Sequence, residues 1–403
     1  MDTQNTPVHF GFWHRNFWMM AFANLFLMMS AYMMIPSLPS FLIMQGYSSL
    51  QAGEVMGAYG VGIFALGGFC SYLVQRYRRN RVCQISMLAV ACSFLLLYYL
   101  DFVLSVRMEF WMIVLARFLH GAFLGLAHMT LSSTLVIDTC ESFQRTEANY
   151  TVSWFARLAL ATGPLLSVFL FRHFDSQGVF LAASGCSLAA LLLVSLVKFP
   201  FKAPSDNISV FCLDRFFLPQ GILLFVNIIL ITVVVGILFS VQHAATHYVM
   251  LLMGFFAAML AERYAFANAD LKSEIITGLF ALAAAILVYF AHQDLAVRII
   301  SPVLTGFGTG IIGSRFLLFY IKLAKHCQRG TSQSSFFLSW EFGLSLGLFL
   351  GIGLFHTVST ETCFLDAPVL DRQVLLACLS LIAVSLLFYN FCVHPWYVSH
   401  KNR

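Results

Sequence analysis

Apolar residues run in stretches of about 20, the length a helix needs to cross a bilayer, and short polar breaks separate them. The pattern predicts twelve spans, at roughly 17–44, 51–74, 82–100, 110–137, 148–171, 178–197, 218–241, 244–262, 274–291, 295–320, 333–356 and 373–393. The eighth is the least regular, because Gln242, His243 and His247 make a tight polar turn before it. The first run is much longer than a signal-peptide core and carries no small-residue cleavage site, so it reads as the first span.

Landmarks recur between the two halves. Gln75-Arg76-Tyr77 returns as Glu262-Arg263-Tyr264, and Gly121-x-x-x-Gly125 as Gly306-x-x-x-Gly310. Arg145 followed by Ser153-Trp154 returns as Arg329 followed by Ser339-Trp340. The offsets stay between 184 and 187, in one order. A duplicated six-span unit follows, and two like halves can rock about a site between them. The expected organisation is a bundle over 1–199, a linker over 200–217 containing Pro200, Pro204, Ser205, Asp206 and Asn207, and a second bundle over 218–403. The fold class is thus an all-α membrane protein of two pseudo-symmetric six-helix bundles.

Composition agrees with a lipid environment. Hydrophobic residues make up 60% of the chain and charged ones 10%, against about 25% charged in soluble domains. With both termini on the cytoplasmic side, seventeen of the 23 Lys and Arg fall on that side and four (Arg107, Arg172, Arg298, Arg372) on the other. This is the positive-inside pattern; it predicts an inner-membrane protein and explains the net charge of +5 without nucleic acid. The ten cysteines include no C-x-x-C pair, and only Cys363 falls in an external loop, so no disulfide framework is expected.

Several motifs resemble those of the major facilitator superfamily. Its loop after the second span has the form Gly-x-x-x-Asp-Arg-x-Gly-Arg-Arg. The segment from Ser71 to Arg81 keeps Arg76 and the basic tail with Arg79, but has Gln75 in place of the acid. Arg117-x-x-His120-Gly121 is similar to the Arg-x-x-Gln-Gly of span four. Gly163-Pro164 in span five and Pro36-x-x-Pro39 in span one resemble the drug and sugar antiporter branch. The resemblance covers nearly the whole chain. It implies alternating access without a cofactor or metal, and a latch role for Gln75, Arg76, Arg79, Glu262 and Arg263. The Gly163-Pro164 pair removes a backbone hydrogen bond and kinks its helix, which suits repacking or a static bend equally.

Glycines mark close helix contacts. Span two carries Gly53, Gly57 and Gly60, and span eleven Gly343, Gly347 and Gly351. In the resembled fold these spans meet between the halves, so both rows are candidate sliding surfaces.

Three ionisable residues fall within spans, where a charge costs about 3 kcal/mol or more and is functional by default. Arg157 and Glu341 are about 12–14 Å deep from the cytoplasmic side at 1.5 Å per residue, and Arg117 is near mid-depth in span four. Glu341 is the only carboxylate placed well inside a span. A lone carboxylate in a partly wet cavity is what a proton carrier requires. Glu341 is therefore the candidate protonation site, with Arg117 or Arg157 as partner or anion anchor; the competing reading is a structural Arg–Glu pair. The resembled antiporters often carry the coupling acid in span one, which has none here. Asn24, Tyr32, His120, His128, Trp154, Asn227 and Trp340 are candidate cavity residues, although each type is more often found in ordinary helix packing.

There is no Gly-x-x-x-x-Gly-Lys-[Ser/Thr] run for ATP, no metal-ligand spacing and no nucleophile–base pair at one depth. The expected function is proton-coupled export of a small drug-like or sugar-like molecule by a monomer, with protons and the lipid bilayer as its other partners. An importer or facilitator of a small anion or sugar is the first alternative, and a non-transporting membrane sensor the second.

Overall fold

The computed structural model describes residues 12–104, 109–141, 143–200, 209–241, 244–291, 295–325, 328–355 and 371–401. Gln242, His243, Cys327, Cys363 and residues 201–208 of the expected linker lie outside the described residues.

Among the described residues, eleven helices are long and apolar enough to cross a bilayer. One of them, Arg145–Ser195, has 51 residues. It is about 76 Å long, more than twice a hydrocarbon core of about 30 Å. It breaks at Asp175, whose φ of 53° and ψ of −161° are not helical. Two segments result, 145–174 and 176–195, which makes twelve membrane-length helices among the described residues.

The spans are α1 (Arg15–Met44), α2 (Ser49–Arg76), α3 (Arg79–Val103), α4 (Phe110–Asp138), α5 (145–174) and α6 (176–195) in the first half. In the second half they are α7 (Pro219–Ser240), α8 (Ala245–Ala265), α9 (Leu271–Phe290), α10 (Ala296–Leu323), α11 (Arg329–Leu354) and α12 (Arg372–His400). The face where α1 begins is called the N-face below.

Packing repeats with the sequence. In the first half α1 lies along α5 and α2 along α4; in the second α7 lies along α11 and α8 along α10. Between halves α2 packs on α11, and α8 meets α5 through Glu262 and Tyr150. Exchanging the two halves maps one inter-half contact onto the other.

Helix α1 bends where proline forces it to. Pro36 has no N–H for the Tyr32 carbonyl, and the regular helix is interrupted at Met33. Gly163 on α5 fits against this bend: a Cβ there would lie 3.1 Å from the Met29 carbonyl oxygen and from Tyr32 Cβ. The Gly163-Pro164 motif thus supports the turn that aims Tyr32.

The glycine rows divide differently from expectation. Gly53, Gly57 and Gly60 of α2 do face α11, opposite Gly353, Phe349 and Ser345. Gly343, Gly347 and Gly351 face α7 of their own half, against Thr232, Gly236 and Ser240. The reason is steric: α7 and α11 approach closely along their length, whereas α2 reaches α11 on another side. Ser345 ties that second contact, accepting from Gly60 N at 3.0 Å and donating to the Met56 carbonyl at 2.7 Å.

Candidate functional site at mid-depth between the halves

Arg157 and Glu341 hold matching places in the duplicated unit. Each lies twelve positions past the first residue of its helix, Arg145 in α5 and Arg329 in α11. That is about 18 Å from each helix start. It exceeds the sequence-based depth because the polar first turns of both helices, left out of the apolar runs, are helical.

Glu341 is 1% exposed. Its Oε1 accepts the hydroxyl of Tyr32 from α1, and its Oε2 accepts the hydroxyl of Tyr59 from α2 at 2.8 Å. Both donors belong to the other half. The guanidinium of Arg117 lies over the Tyr59 ring, 4.7 Å from its centroid, and its Nη1 contacts His120 Nδ1 at 2.8 Å. A chain His120–Arg117–Tyr59–Glu341–Tyr32 therefore crosses the interface. Among the described residues, no ion pair within 4.0 Å joins Glu341 to Arg117 or Arg157. Where the sequence offers Arg117 or Arg157 as a partner, two tyrosines bond Glu341, and Arg117 lies on the ring of one of them, Tyr59.

Beside Glu341 is a cavity of about 30 Å³ whose lining includes Tyr32, His128, Arg157, Gln333, Phe337 and Trp340. Drug-sized pockets hold about 300–1,000 Å³, so the halves are closed around this point. A wider cavity of about 830 Å³ lies toward the N-face between α1, α5, α8 and α10, with Trp13, Trp18, Tyr150, Trp154, Glu262 and Arg315 on its walls. Trp154 lines the larger cavity, and its ring carries at 4.7 Å the guanidinium of Arg157, which lines the smaller one.

The Major Facilitator Superfamily model matches residues 20–347. The chain belongs to the major facilitator superfamily. Solved transporter structures resemble it along nearly all of their length. An auto-inhibited POT family peptide transporter shares 12% identity, covering 97% of this chain and 98% of its own, with a TM-score of 0.63. The nucleoside transporter NupG shares 10% identity, covering 94% of this chain and 100% of its own, with a TM-score of 0.65. The human organic anion transporter MFSD10 (TETRAN) shares 13% identity, covering 93% of this chain and 98% of its own, with a TM-score of 0.63. No curated protein matches the sequence significantly. At these identities the likeness is one of fold.

Not every predicted cavity residue of this superfamily member reaches a cavity. Asn24 donates to the Val152 carbonyl at 3.0 Å, tying α1 to α5. Asn227 donates to the Ser385 carbonyl at 3.0 Å, tying α7 to α12. Both amides are interhelical ties, the ordinary use of a polar side chain in a membrane. His120 packs edge-on against Phe94 at 4.5 Å and is engaged by Arg117. His128 does line the small cavity, stacked on Phe337 at 3.8 Å.

At the N-face the superfamily loop is tied down by groups the sequence did not pair. Gln75 donates to Ser71 on its own helix at 2.7 Å; the crossing to the other half runs through Ser71 instead. Ser71 donates to Asp214 Oδ2 at 3.3 Å, and Thr331 of α11 donates to Asp214 Oδ1 at 3.1 Å. Asp214 bridges the halves from the linker. Arg76 supplies a basic last turn to its helix, which suits the C-terminal dipole. Arg79 pairs with Asp138 at the end of α4 and donates to the Pro200 carbonyl at 3.2 Å.

The second half carries a charge-reversed counterpart of the Arg79–Asp138 pair. Glu274, near the start of α9, accepts from Arg315 of α10 at 2.5 Å. Glu262 accepts from Tyr150 and Ser314 and lies 3.8 Å from Arg315. Arg263 stacks on Tyr264 at 5.7 Å. Asp214, Glu274, Arg315 and Gln333 were missed in the sequence reading. The acid near the start of α9 and the base toward the end of α10 were the available signal, since buried helix ends need paired charges.

Proposed function

We propose that this chain is a secondary active transporter that exports a small amphipathic molecule in exchange for protons, with Glu341 as the proton-carrying group. The observation that carries the reading is the seating of Glu341: a carboxylate of the second half, closed from solvent, held by two hydroxyls of the first half. An ionised carboxylate accepts strong hydrogen bonds from both tyrosines, while a protonated one must use one oxygen as a donor. Protonation therefore weakens the tie between the halves at the depth where they must part. Coupling of this kind needs one titrating group and one two-state interface, and Glu341 belongs to both. The Gly163-Pro164 contact with the bend of α1 lets that helix carry Tyr32 away when α5 repacks.

In this reading the chain sits in the inner membrane with the N-face cytoplasmic, which the distribution of Lys and Arg supports. The small cavity is the closed form of the substrate site, lined by Tyr32, His128, Arg157 and Trp340, with Trp154 lining the larger one.

The test is transport in proteoliposomes with an imposed pH gradient, screening small amphipathic compounds. Wild type accumulates a substrate only when the gradient is present. Glu341→Gln keeps exchange of labelled for unlabelled substrate at equilibrium but loses gradient-driven accumulation. Accumulation that persists in Glu341→Gln removes the proton role from this residue.

A further inference from the structure

We infer that the mid-depth cavity is an anion subsite, in which Arg157 holds the negatively charged head of an amphipathic organic anion. This rests on the transporter reading above and names the substrate class of its site.

The first ground is a broken symmetry. Glu341 and Arg157 occupy equivalent places in α11 and α5. Glu341 has both oxygens satisfied by the opposite half. Arg157, 4% exposed, has only Nη2 engaged, to Ser153 of its own helix at 3.1 Å. Its Nε and Nη1 are buried without a hydrogen-bond partner. Where the second half should supply acceptors, it supplies none among the described residues.

The second ground is access. Arg157 lines the cavity, whereas Arg117 does not. Gly313 of α10 leaves the guanidinium its space: a Cβ there would lie 2.6 Å from Arg157 Nε and 3.2 Å from the Trp340 ring. Gln333 and His128 line the same cavity, and His128 Nδ1, a donor in one tautomer, is likewise buried without a partner.

The third ground is the charge at the cavity wall. Arg157 and Glu341 are the Arg, Lys, Asp or Glu residues that line it, and Glu341 has both oxygens taken by Tyr32 and Tyr59. Guanidinium stays protonated. The field of Glu262 reaches it from the larger cavity, but the Glu262 oxygens accept from Tyr150 and Ser314 and leave Nε and Nη1 of Arg157 free. An anion makes the paired N–H contacts for which the guanidinium fork is shaped. A cation would find only carboxylate oxygens already taken. Trp340, Phe336 and Phe337 form the apolar wall against which the body of such an anion rests.

The experiment uses the full chain in lipid nanodiscs and three radiolabelled probes of one shape: 1-naphthoate, 1-naphthamide and 1-naphthylmethylammonium, with binding to empty nanodiscs subtracted. Naphthoate is expected to bind at least about tenfold tighter than the other two, the scale of a hydrogen bond to a charged group. Arg157→Gln removes that preference, and Arg157→Lys, which keeps the charge but loses the fork, retains part of it. Gly313→Ala, which leaves Arg157 intact but crowds Nε, weakens naphthoate selectively and serves if Arg157→Gln fails to fold. Equal binding of all three probes by wild type, preference for the cation, absent naphthoate binding, or a preference that survives in Arg157→Gln would overturn the subsite. Equilibrium binding needs no gradient, so failure here is separate from failure of proton coupling in the flux assay.

Discussion

Tyr59 of α2 donates its hydroxyl to Oε2 of Glu341 of α11 at 2.8 Å, joining the two halves of the chain through a buried carboxylate. Tyr32 holds the other oxygen. Removing one donor leaves a buried acceptor partly unsatisfied, which costs about 1–3 kcal/mol. Tyr59→Phe and Tyr32→Phe should each lower thermal stability in detergent by that order. The double variant should depart from the sum, because both act on one group. Two single variants as stable as wild type would show that the tie contributes nothing.

The closed face opposite the N-face rests on backbone contact. A Cβ on Gly53 would lie 2.8 Å from Gly353 Cα, so a side chain there must push the helices apart. Gly53→Ala should destabilise this closure by about 1–3 kcal/mol. Amide hydrogen exchange should rise at the start of α2 and the end of α11, and stay unchanged in the contact between α8 and α10. Unchanged exchange in both segments would mean the contact is not a closing surface.

Asp214 bridges Ser71 and Thr331 at the N-face, and the neighbouring Cys212 N–H donates to the Gly68 carbonyl at 3.1 Å. Asp214→Asn turns two charge-assisted bonds into neutral ones of roughly half the strength. The segment should then leave the helix ends more often. Alkylation of Cys212 by a maleimide, followed by mass spectrometry, should speed up several-fold, on the order of the factor that about 1 kcal/mol produces. An unchanged rate would dismiss the bridge as a latch.

Glu274 is 2% exposed and bonded to Arg315. Breaking a buried pair by removing one member costs about 3–5 kcal/mol. Arg315→Gln strands both Glu274 and Glu262 and should approach that loss. Glu274→Gln should cost less, because Arg315 keeps Glu262 at 3.8 Å. Equal thermal stabilities of the two variants would refute this ordering.

Helix number and the duplicated plan were legible because lipid imposes them: each crossing needs an unbroken apolar run, and each repeat must return the same landmarks. The same runs place Glu341, Arg157 and Arg117 within membrane-length helices, although Glu341 and Arg157 lie further from their helix starts than the runs gave. The partners were not legible. Nothing local in the chain says that Tyr32 and Tyr59, rather than an arginine, hold Glu341, since both arise from how helices of different halves meet. Asn24 and Asn227 looked like cavity residues because helix pattern alone does not tell an inward face from an interhelical one. Asp214 sits in a polar connection, where an acid is commonplace until it is seen between Ser71 and Thr331.

The central claim, that the charge on Glu341 governs the closure of the halves, is tested most directly by distance measurement. Spin labels at Met44 and Leu354, both exposed and both on the face opposite the N-face, would be compared at neutral and acid pH after replacement of the exposed native cysteines. The wild type should show one short distance at neutral pH and a longer, broader population in acid. Glu341→Gln should show the broad population at both. A wild-type distance that ignores pH, or a pH response that survives in Glu341→Gln, would contradict the account.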